Sequence, residues 1–425
     1  MAKDFKLRLG QQILYTLLSP ALGIYNLFKT RNEKLILWGG TFLMAILGSV
    51  YVYVKGGDGH THMRHIEKEY MDMSVVDFFA RMGDILTLNV EQGVVDPYLH
   101  ILSFISGSIL GTPELLHFFA GAFYGAVYFT GVLFLLRNLD FKKASFVLGI
   151  LLTVFFIYRS ITGLNAVRWW TAMWMVFSGT LGFLSTRKKK YLLLALASIL
   201  VHFSFIGLII PIIAGYYIRN FRKLLLIIWI FSFFTVGSYD IIKPYVPDIG
   251  VFKSREATLT INPSTQQIDS SDSNVRFYRE YGETSFRDYS IPFLSVVLFF
   301  LFIRNGNSNW YWSLFAMGVT LYTFANFMEF SPSVSGRAKS GGSVLILASA
   351  IQILGSNVQF TYSKNDFRII KFLVTIFFLS CIPVILFQLS YIITMQSVFT
   401  LVLPVFSWFL GEADFSIREF LGSFV

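Results

Sequence analysis

Long apolar runs recur along this chain of 425 residues, and short gaps rich in lysine and arginine separate many of them. Residues 35–54 form one such run, and residues 172–184, 224–236 and 372–393 belong to others. A bilayer core needs ~20 predominantly apolar residues for each spanning helix. Because the hydrocarbon offers backbone groups no water, only helices and closed barrels span it. The pattern predicts an all-α, polytopic membrane protein in which residues 1–425 form a single integral membrane domain.

The composition agrees with the membrane class. Hydrophobic residues make up 55% of the chain and charged residues only 14%, and the mean hydropathy is +0.61. The net charge of +10 comes from lysines and arginines in gaps beside apolar runs, where such residues set the orientation of a membrane protein. Nucleic-acid binding would instead require a basic face on a soluble domain. The one cysteine, Cys381, lies within an apolar run, which excludes disulfides and a cysteine-rich metal site.

The positions of the basic gaps predict the topology. The positive-inside rule places clusters of lysine and arginine in the cytoplasm. With the N-terminus also inside, a topology that keeps all these clusters in the cytoplasm has about ten spanning helices plus re-entrant segments. The extracytoplasmic loops are then residues 55–97 and 242–289, with a third at residues 329–342. The cytoplasmic clusters are Arg137 with Lys142 and Lys143, residues 187–190, residues 219–223, Arg304, and residues 364–371.

Three segments do not fit simple spans. Residues 13–28 contain Pro20 and precede basic residues, which favours an interfacial or re-entrant segment on the cytoplasmic side, with a spanning helix as the alternative. Residues 98–110 are short, and we expect a half-inserted helix there. Residues 191–217 have basic residues at both ends, and ~27 residues are too few for two full spans at 1.5 Å per residue. Two short helices that meet near His202 would satisfy both ends.

Ionisable residues within membrane segments are expensive and are functional hypotheses by default. His202 is either a neutral histidine that bridges two helices or a functional group. Arg168 is either an interfacial arginine that snorkels outward among tryptophans or a guanidinium that binds phosphate. Arg159 lies at the same predicted depth, and we expect Arg168 and His202 to face one cavity. Further cations on the outer side favour an anionic ligand: Arg64, Arg276, Arg279, Arg287, Arg337 and Lys339.

Asp58 and three histidines at positions 60, 62 and 65 follow the first apolar run. An aspartate and three histidines so close together are candidate metal ligands. Their spacing matches no structural zinc pattern, and we predict no metal site. Asp58, at the mouth of the membrane, is a candidate general base. The alternative is that Asp58 is a turn residue after Gly56 and Gly57.

Three features follow one another between residues 163 and 204. Arg168 has an alanine four residues later, at Ala172, a basic turn follows at residues 188–191, and an alanine-rich helix then ends in Val-His-Phe-Ser at residues 201–204. This block resembles the core of the EpsG family, membrane polymerases of exopolysaccharides, capsules and O-antigens that are similar in role to Wzy polymerases. The family often has glutamine after the arginine, where this chain has Trp169.

The resemblance extends upstream to Gly57-Asp58, Tyr70 and Asp96-Pro97-Tyr98, which are similar to the family's early outer-loop pattern. It implies a GT-C-like glycosyltransferase at the outer leaflet of the bacterial plasma membrane. The enzyme would join polyprenyl-pyrophosphate-linked oligosaccharide repeat units, and its partners would be those lipids, membrane lipids and, as a further candidate, a chain-length regulator. No cofactor and no nucleic acid is expected.

That chemistry assigns roles to the residues above. An acceptor hydroxyl attacks the donor's anomeric carbon, so cations must hold the departing pyrophosphate and a base must take the proton. Arg168, Arg159 and Arg337 fit the first role, and Asp58 or His202 fits the second. The alternatives are a flippase or other transporter of lipid-linked sugars, an O-antigen ligase that uses the same donor, and an acyltransferase with His202 as base. Against a transporter, the two halves of the chain show no internal repeat.

Overall fold

The computed structural model of the protein is helical in the part of the chain that it describes, which confirms the all-α prediction. Extended pairing among these residues is limited to two isolated bridges, Tyr51 with Gln396 and Ser397 with Ser416. The described residues are 2–53, 58–90, 94–137, 139, 141, 146–235, 279–304, 310–355, 364–410 and 415–423.

The helices are numbered in chain order. The first half contains α1 (Ala2–Leu18), α2 (Pro20–Lys29), α3 (Glu33–Ser49), α4 (Asp58–Glu69), α5 (Val75–Leu86), α6 (Pro97–Phe104), α7 (Leu116–Leu136), α8 (Phe146–Ile157), α9 (Val167–Thr186), α10 (Lys190–Leu196), α11 (Ser198–Val201), α12 (Phe205–Ile218) and α13 (Arg222–Phe231). The second half contains α14 (Ile291–Arg304), α15 (Trp310–Phe327), α16 (Pro332–Gly355), α17 (Lys364–Met395), α18 (Phe406–Leu410) and α19 (Ile417–Gly422).

Five helical segments among the described residues are long and apolar enough to cross a membrane, so the protein is membrane-embedded. Two further apolar helices, Lys190–Val201 and Phe205–Ile218, are shorter, and α3 has 17 residues. The five candidate spans are Pro113–Leu136, Phe146–Leu164, Tyr281–Arg304, Pro332–Gly355 and Arg368–Met395.

The antiparallel pair α3 and α7 defines two ends of the helix bundle. At one end Arg137 binds both carboxylate oxygens of Glu33, at 2.9 and 2.6 Å. At the other end Gly48 approaches the His117 carbonyl so closely that a side chain there would clash. The end of α9 joins the first end, because Tyr191 contacts Phe134 near the end of α7. We call this the basic end, since Arg137 and residues 187–190 lie there, and we call the opposite one the site end.

A broken helical hairpin packs along α9. Helix α10 returns beside the second half of α9, where a Cβ at Gly179 would lie 2.5 Å from the Tyr191 carbonyl. The chain then breaks at His202, whose backbone is extended (φ −151°, ψ 112°). Helix α12 begins beside Trp169, with Phe205 at 5.6 Å, and runs back to the basic end, where Arg187 meets Tyr216. The predicted pair of short helices meeting near His202 is therefore confirmed.

A second hairpin forms the N-terminus. Helices α1 and α2 are antiparallel and meet at Ser19 and Pro20. The buried Gln12 donates to the Gly23 carbonyl at 3.1 Å and accepts from the Asn26 amide at 2.6 Å. The helices of this hairpin extend over residues 2–29, with the turn at Pro20 inside the segment 13–28; whether that segment is interfacial, re-entrant or spanning stays a prediction.

Residues 98–110 do not cross the bundle, as predicted. Asp96, just before α6, binds Arg168. At the far end of the segment, after the π-helical turn Ile105–Ile109, the Ser108 hydroxyl donates to the Tyr70 carbonyl. Because Tyr70 follows α4, this segment stays beside α4 at the site end.

The predicted outer loops contain helices in their described parts. The loop predicted at residues 55–97 includes α4 and α5. In the predicted loop 242–289, residues 242–278 lie outside the described part, and the chain is helical from residue 279 onward. Helix α16 begins at Pro332, so Arg337 and Lys339 are helical residues.

Candidate functional site

Asp96 holds three segments of the site end together. Its side chain is almost fully buried, at 1% exposure. Oδ2 forms an ion pair with Arg168 Nη1 at 2.7 Å, and Oδ1 accepts a hydrogen bond from the Phe203 backbone N–H at 2.8 Å. One carboxylate therefore joins the start of α6, the first turn of α9 and the break between α11 and α12. Asp96 thus brings the segment of Arg168 close to the segment of His202; that the two side chains face one cavity stays a prediction.

His202 is half-buried at this break. Its Nδ1 accepts from the Ser204 backbone N–H at 3.3 Å and lies 2.9 Å from the Ser204 hydroxyl. In the neutral tautomer that accepts this N–H through Nδ1, the proton is on Nε2. That tautomer makes His202 a hydrogen-bond donor through Nε2.

Arg168 directs its charge toward α4. Burial lowers the pKa of His62 well below its usual range, and the positive charge of Arg168 adds to this shift. Burial also lowers the pKa of His65, where Glu69 opposes the shift and Arg81 and Arg168 add to it. The charge of Arg168 thus acts on two histidines of α4, a fourth element of the site end.

A groove of about 720 Å³ follows the outer face of α4. Arg168 and His202 are not among the residues that line it, so this groove is not the shared cavity that we expected. Among the described residues, no three His, Cys, Asp or Glu side chains are arranged to hold a metal ion. The lining residues are His60, Thr61, Met63, Arg64, His65, Glu67 and Lys68.

Asp58 is the first residue of α4, and its side chain is exposed. A carboxylate in the first turn of a helix is stabilised by the helix dipole. The next residue, Gly59, packs against Tyr51, whose ring carbon would lie 3.0 Å from a Cβ at that position. Asp58 therefore sits at the site end, beside the end of α3, with its carboxylate accessible.

Tyr51 belongs to a polar network that sequence reasoning missed. Its hydroxyl donates to Asn165 Oδ1, and Asn165 Nδ2 donates to the Tyr391 hydroxyl, both at 2.7 Å. The Tyr51 ring stacks on His117 at 4.5 Å, and His117 Nδ1 lies 3.0 Å from the Tyr53 hydroxyl. His117 is a histidine within an apolar stretch, the same signal that identified His202.

Arg159 lies at the site end in a separate ion pair, with Glu283. It occupies the turn after α8 in a left-handed conformation, at φ 58°. The Tyr124 hydroxyl holds this turn by donating to the Arg159 carbonyl at 2.6 Å. The guanidinium lies 5.3 Å from the ring of Trp170. Trp170 is two residues after Arg168, ~200° around α9 in projection, so Arg159 packs on a different face of that helix.

Two other outer cations have specific partners. Lys339 donates to Asp288 at 2.9 Å and to Glu329 at 2.8 Å, and Arg287 donates to the Gly336 carbonyl at 3.2 Å. Arg337 is on the first turns of α16, at an exposed position, and Arg276 lies outside the described residues. Counting lysines and arginines along the sequence located these cations, but it did not reveal the carboxylates that balance them.

The site end thus combines guanidinium groups, a donor imidazole and an accessible carboxylate. Cations and donors of this kind stabilise charge on a departing phosphate, and a carboxylate can accept a proton from a hydroxyl. The sequence matches no family model, and comparison with curated proteins and solved structures gives no match either.

Proposed function

We propose that the protein is a glycosyltransferase that polymerises oligosaccharide repeat units carried on polyprenyl pyrophosphate. It would be a GT-C-like enzyme of the bacterial plasma membrane, with a cytoplasmic N-terminus and about ten spanning segments. Exopolysaccharide, capsule or O-antigen would be the product. The basic end would face the cytoplasm and the site end the outer leaflet, where lipid-linked repeat units are joined.

The observation that carries this proposal is the contact of Asp96 with both Arg168 and the break after His202. It brings together the two residues that the family resemblance singles out, although they are far apart in sequence. A snorkelling arginine would need no buried carboxylate, and a histidine that merely bridges helices would need no broken helix. Broken backbone at membrane depth is tolerated where protein or a water-filled cavity surrounds it.

In the proposed step, the oxygen of an acceptor hydroxyl forms a bond to the donor's anomeric carbon. The bond from that carbon to the pyrophosphate oxygen breaks, and the electron pair leaves with the polyprenyl pyrophosphate. Arg168 stabilises this leaving group, because the planar guanidinium fork matches two phosphate oxygens. Arg159 and Arg337 are the further cations at this end. The hydroxyl proton passes to the general base.

The contact of His202 Nδ1 with the Ser204 N–H favours Asp58 as that base. In the tautomer that accepts through Nδ1, His202 would donate through Nε2, which suits a phosphate oxygen rather than a hydroxyl proton. Asp58 has an exposed carboxylate at the start of α4 and can accept the proton. On this assignment, Asp58→Asn keeps donor binding and loses turnover, whereas His202→Ala weakens donor binding as well.

The test is incubation of the purified protein with lipid-linked repeat units extracted from cells that make the polymer, followed by gel electrophoresis. A ladder of products supports a polymerase. A single added unit on another acceptor means a ligase, and unchanged material favours a transporter, so either result overturns the proposal.

A matched pair of variants locates the activity. Arg168→Lys keeps the charge but loses the fork, and we expect the ladder to disappear while the protein still folds. Arg137→Lys makes the same change in an arginine–carboxylate pair at the basic end, and it should leave the ladder intact. Normal polymer from Arg168→Lys would show that Arg168 only anchors its helix.

A further inference from the structure

Helix α5 has two different apolar faces. The Ser74 side chain caps its start by accepting from the Asp77 N–H at 3.2 Å. On the inner face, Ile85 is buried and Phe78 is half-buried. At 3.6 residues per turn, Val75, Phe79 and Leu86 project within ~40° of one another on another face.

The second apolar face is open. Val75 and Leu86 are each 60% exposed, Phe79 is 66% exposed and Val76 is 77% exposed. Asp77 and Asp84 lie roughly opposite Val75, Phe79 and Leu86, at ~140–180° in projection. The helix therefore has one apolar side against the protein, another that the protein leaves uncovered, and a narrow acidic strip.

The position of α5 decides what covers the open face. Phe78 stacks on His100 at 4.6 Å and on Phe104 at 4.4 Å, which fixes α5 against α6 at the site end. Tyr98 of α6 contacts Phe123 at 5.5 Å, and Phe123 lies within the candidate span Pro113–Leu136. Helix α5 is therefore packed beside the site end of a segment that crosses the membrane.

Exposed apolar side chains also lie on the elements that connect α5 to the span. Ile101, Ile109 and Leu110, on α6 and the turn after it, are 42%, 63% and 45% exposed, and Phe123 on the span is 40% exposed. Exposed apolar side chains on elements packed beside a membrane span match the lipid interface rather than water, since large exposed apolar patches mark contact sites.

We propose that α5 is an interfacial helix whose open face, formed by Val75, Val76, Phe79 and Leu86, lies in the lipid surface at the site end. Amphipathic helices in this position bury their apolar face at the boundary between headgroups and acyl chains. The acidic strip of Asp77 and Asp84 then faces water. Arg81 connects α5 to α4 through Glu69, at 2.5 Å, so the membrane contact is coupled mechanically to the helix that lines the groove.

The test uses nitroxide labels on the full chain in phosphatidylcholine–phosphatidylglycerol vesicles. The buried Cys381 is first removed by the substitution Cys381→Ala. Single cysteines are then introduced in this background as Val75→Cys, Phe79→Cys, Leu86→Cys, Asp77→Cys and Asp84→Cys. These side chains are on the surface of the helix. Collision rates with oxygen, which concentrates in lipid, and with a water-soluble nickel chelate are then measured for each label.

We expect oxygen collisions to dominate at positions 75, 79 and 86 and nickel collisions to dominate at 77 and 84. The ratio of the two collision rates would then vary along α5 with the period of an α-helix. Equal nickel access at 79 and 84 would place the helix in water and overturn the proposal. Dipolar broadening between labels at 79 that disappears on dilution with unlabelled protein would show that a second copy covers the face, and it would overturn the proposal too.

Discussion

At Asp96, each carboxylate oxygen has a different partner, a guanidinium on one side and a backbone amide on the other. A buried ion pair contributes little net stability when complete, but removal of one partner leaves an uncompensated charge in a poorly solvated place. Aspartate is short enough to reach the start of α9 and the break after His202 from the residue before Pro97. The identity of this residue therefore matters for geometry as well as charge.

The Asp96→Asn variant separates these two contributions. Asparagine keeps an oxygen for the Phe203 N–H but leaves the positive charge of Arg168 unpaired. We expect a loss of about 3 kcal/mol in the free energy of unfolding, as is typical when one partner of a buried pair is removed. Thermal unfolding in detergent measures this loss of stability. Asp84→Asn, on the exposed strip of α5, is the control and should unfold like the wild type; equal effects of both variants would contradict the role given to Asp96.

His62 gives the protein a pH dependence with a definite sign. Its folded-state pKa lies well below its usual value because of burial, whereas the unfolded chain takes up a proton near pH 6.5. The unfolded state then binds more protons, so stability is fully present above about pH 6.5 and falls progressively as the pH drops below it. Unfolding temperatures from pH 7.5 to 5.0 should fall less steeply in His62→Gln than in the wild type. His60→Gln, on the groove side of α4, is the comparison, and identical slopes for His62→Gln and the wild type would refute the assignment.

Among the helices, the break at His202 could be predicted because basic residues at both ends of residues 191–217 left no other way to place them. Helices α4 and α5 were harder to predict, because α4 is mostly polar and carries no long apolar run. The buried positions Gly59, His62 and Ile66 are nevertheless three and four residues apart, which is a helical spacing. A prediction based on long apolar runs does not detect this short-range pattern.

The N-terminal hairpin depends on polar contacts between its two helices. Gln12→Leu removes a donor to Gly23 and an acceptor for Asn26, and interhelical hydrogen bonds of this kind contribute about 0.6–2 kcal/mol each. We expect a lower unfolding temperature, measured in detergent. Gln11→Leu makes the same change at an exposed position of α1 and should have little effect. If the two variants unfold alike, the Gln12 contacts do not stabilise the hairpin.

For the whole molecule, charge counting placed the two ends correctly relative to each other: Arg137, residues 187–190 and residues 219–223 gather at one end, and Arg159 and Arg168 lie at the other. The carboxylates of Asp96 and Glu283 could not be paired with them from sequence, because the pairing depends on helix packing between segments 72 and 124 positions apart. The orientation of the two ends in the membrane stays a prediction.

Cysteine labelling tests that orientation. In the Cys381→Ala background, Thr61→Cys reports on the site end and Lys189→Cys on the basic end. We expect a membrane-impermeant maleimide to label residue 61 in intact spheroplasts and residue 189 only after the membrane is opened, since basic clusters stay in the cytoplasm. Labelling in the reverse order would invert the proposed topology.

The contacts of Asp96 also bear on the order in which the protein matures. Its two partners, Arg168 and Phe203, both precede the middle of the chain, whereas the partner of Arg159 is Glu283, in the second half. Chains emerge from the ribosome N-terminal end first, at about 5–20 residues per second. The junction of α6, α9 and the broken hairpin therefore has all its parts while the second half is still being synthesised. Glu283 then adds the ion pair to Arg159, and Tyr391 later adds its hydrogen bond with Asn165, so the second half of the chain completes the site end around a junction formed by the first half.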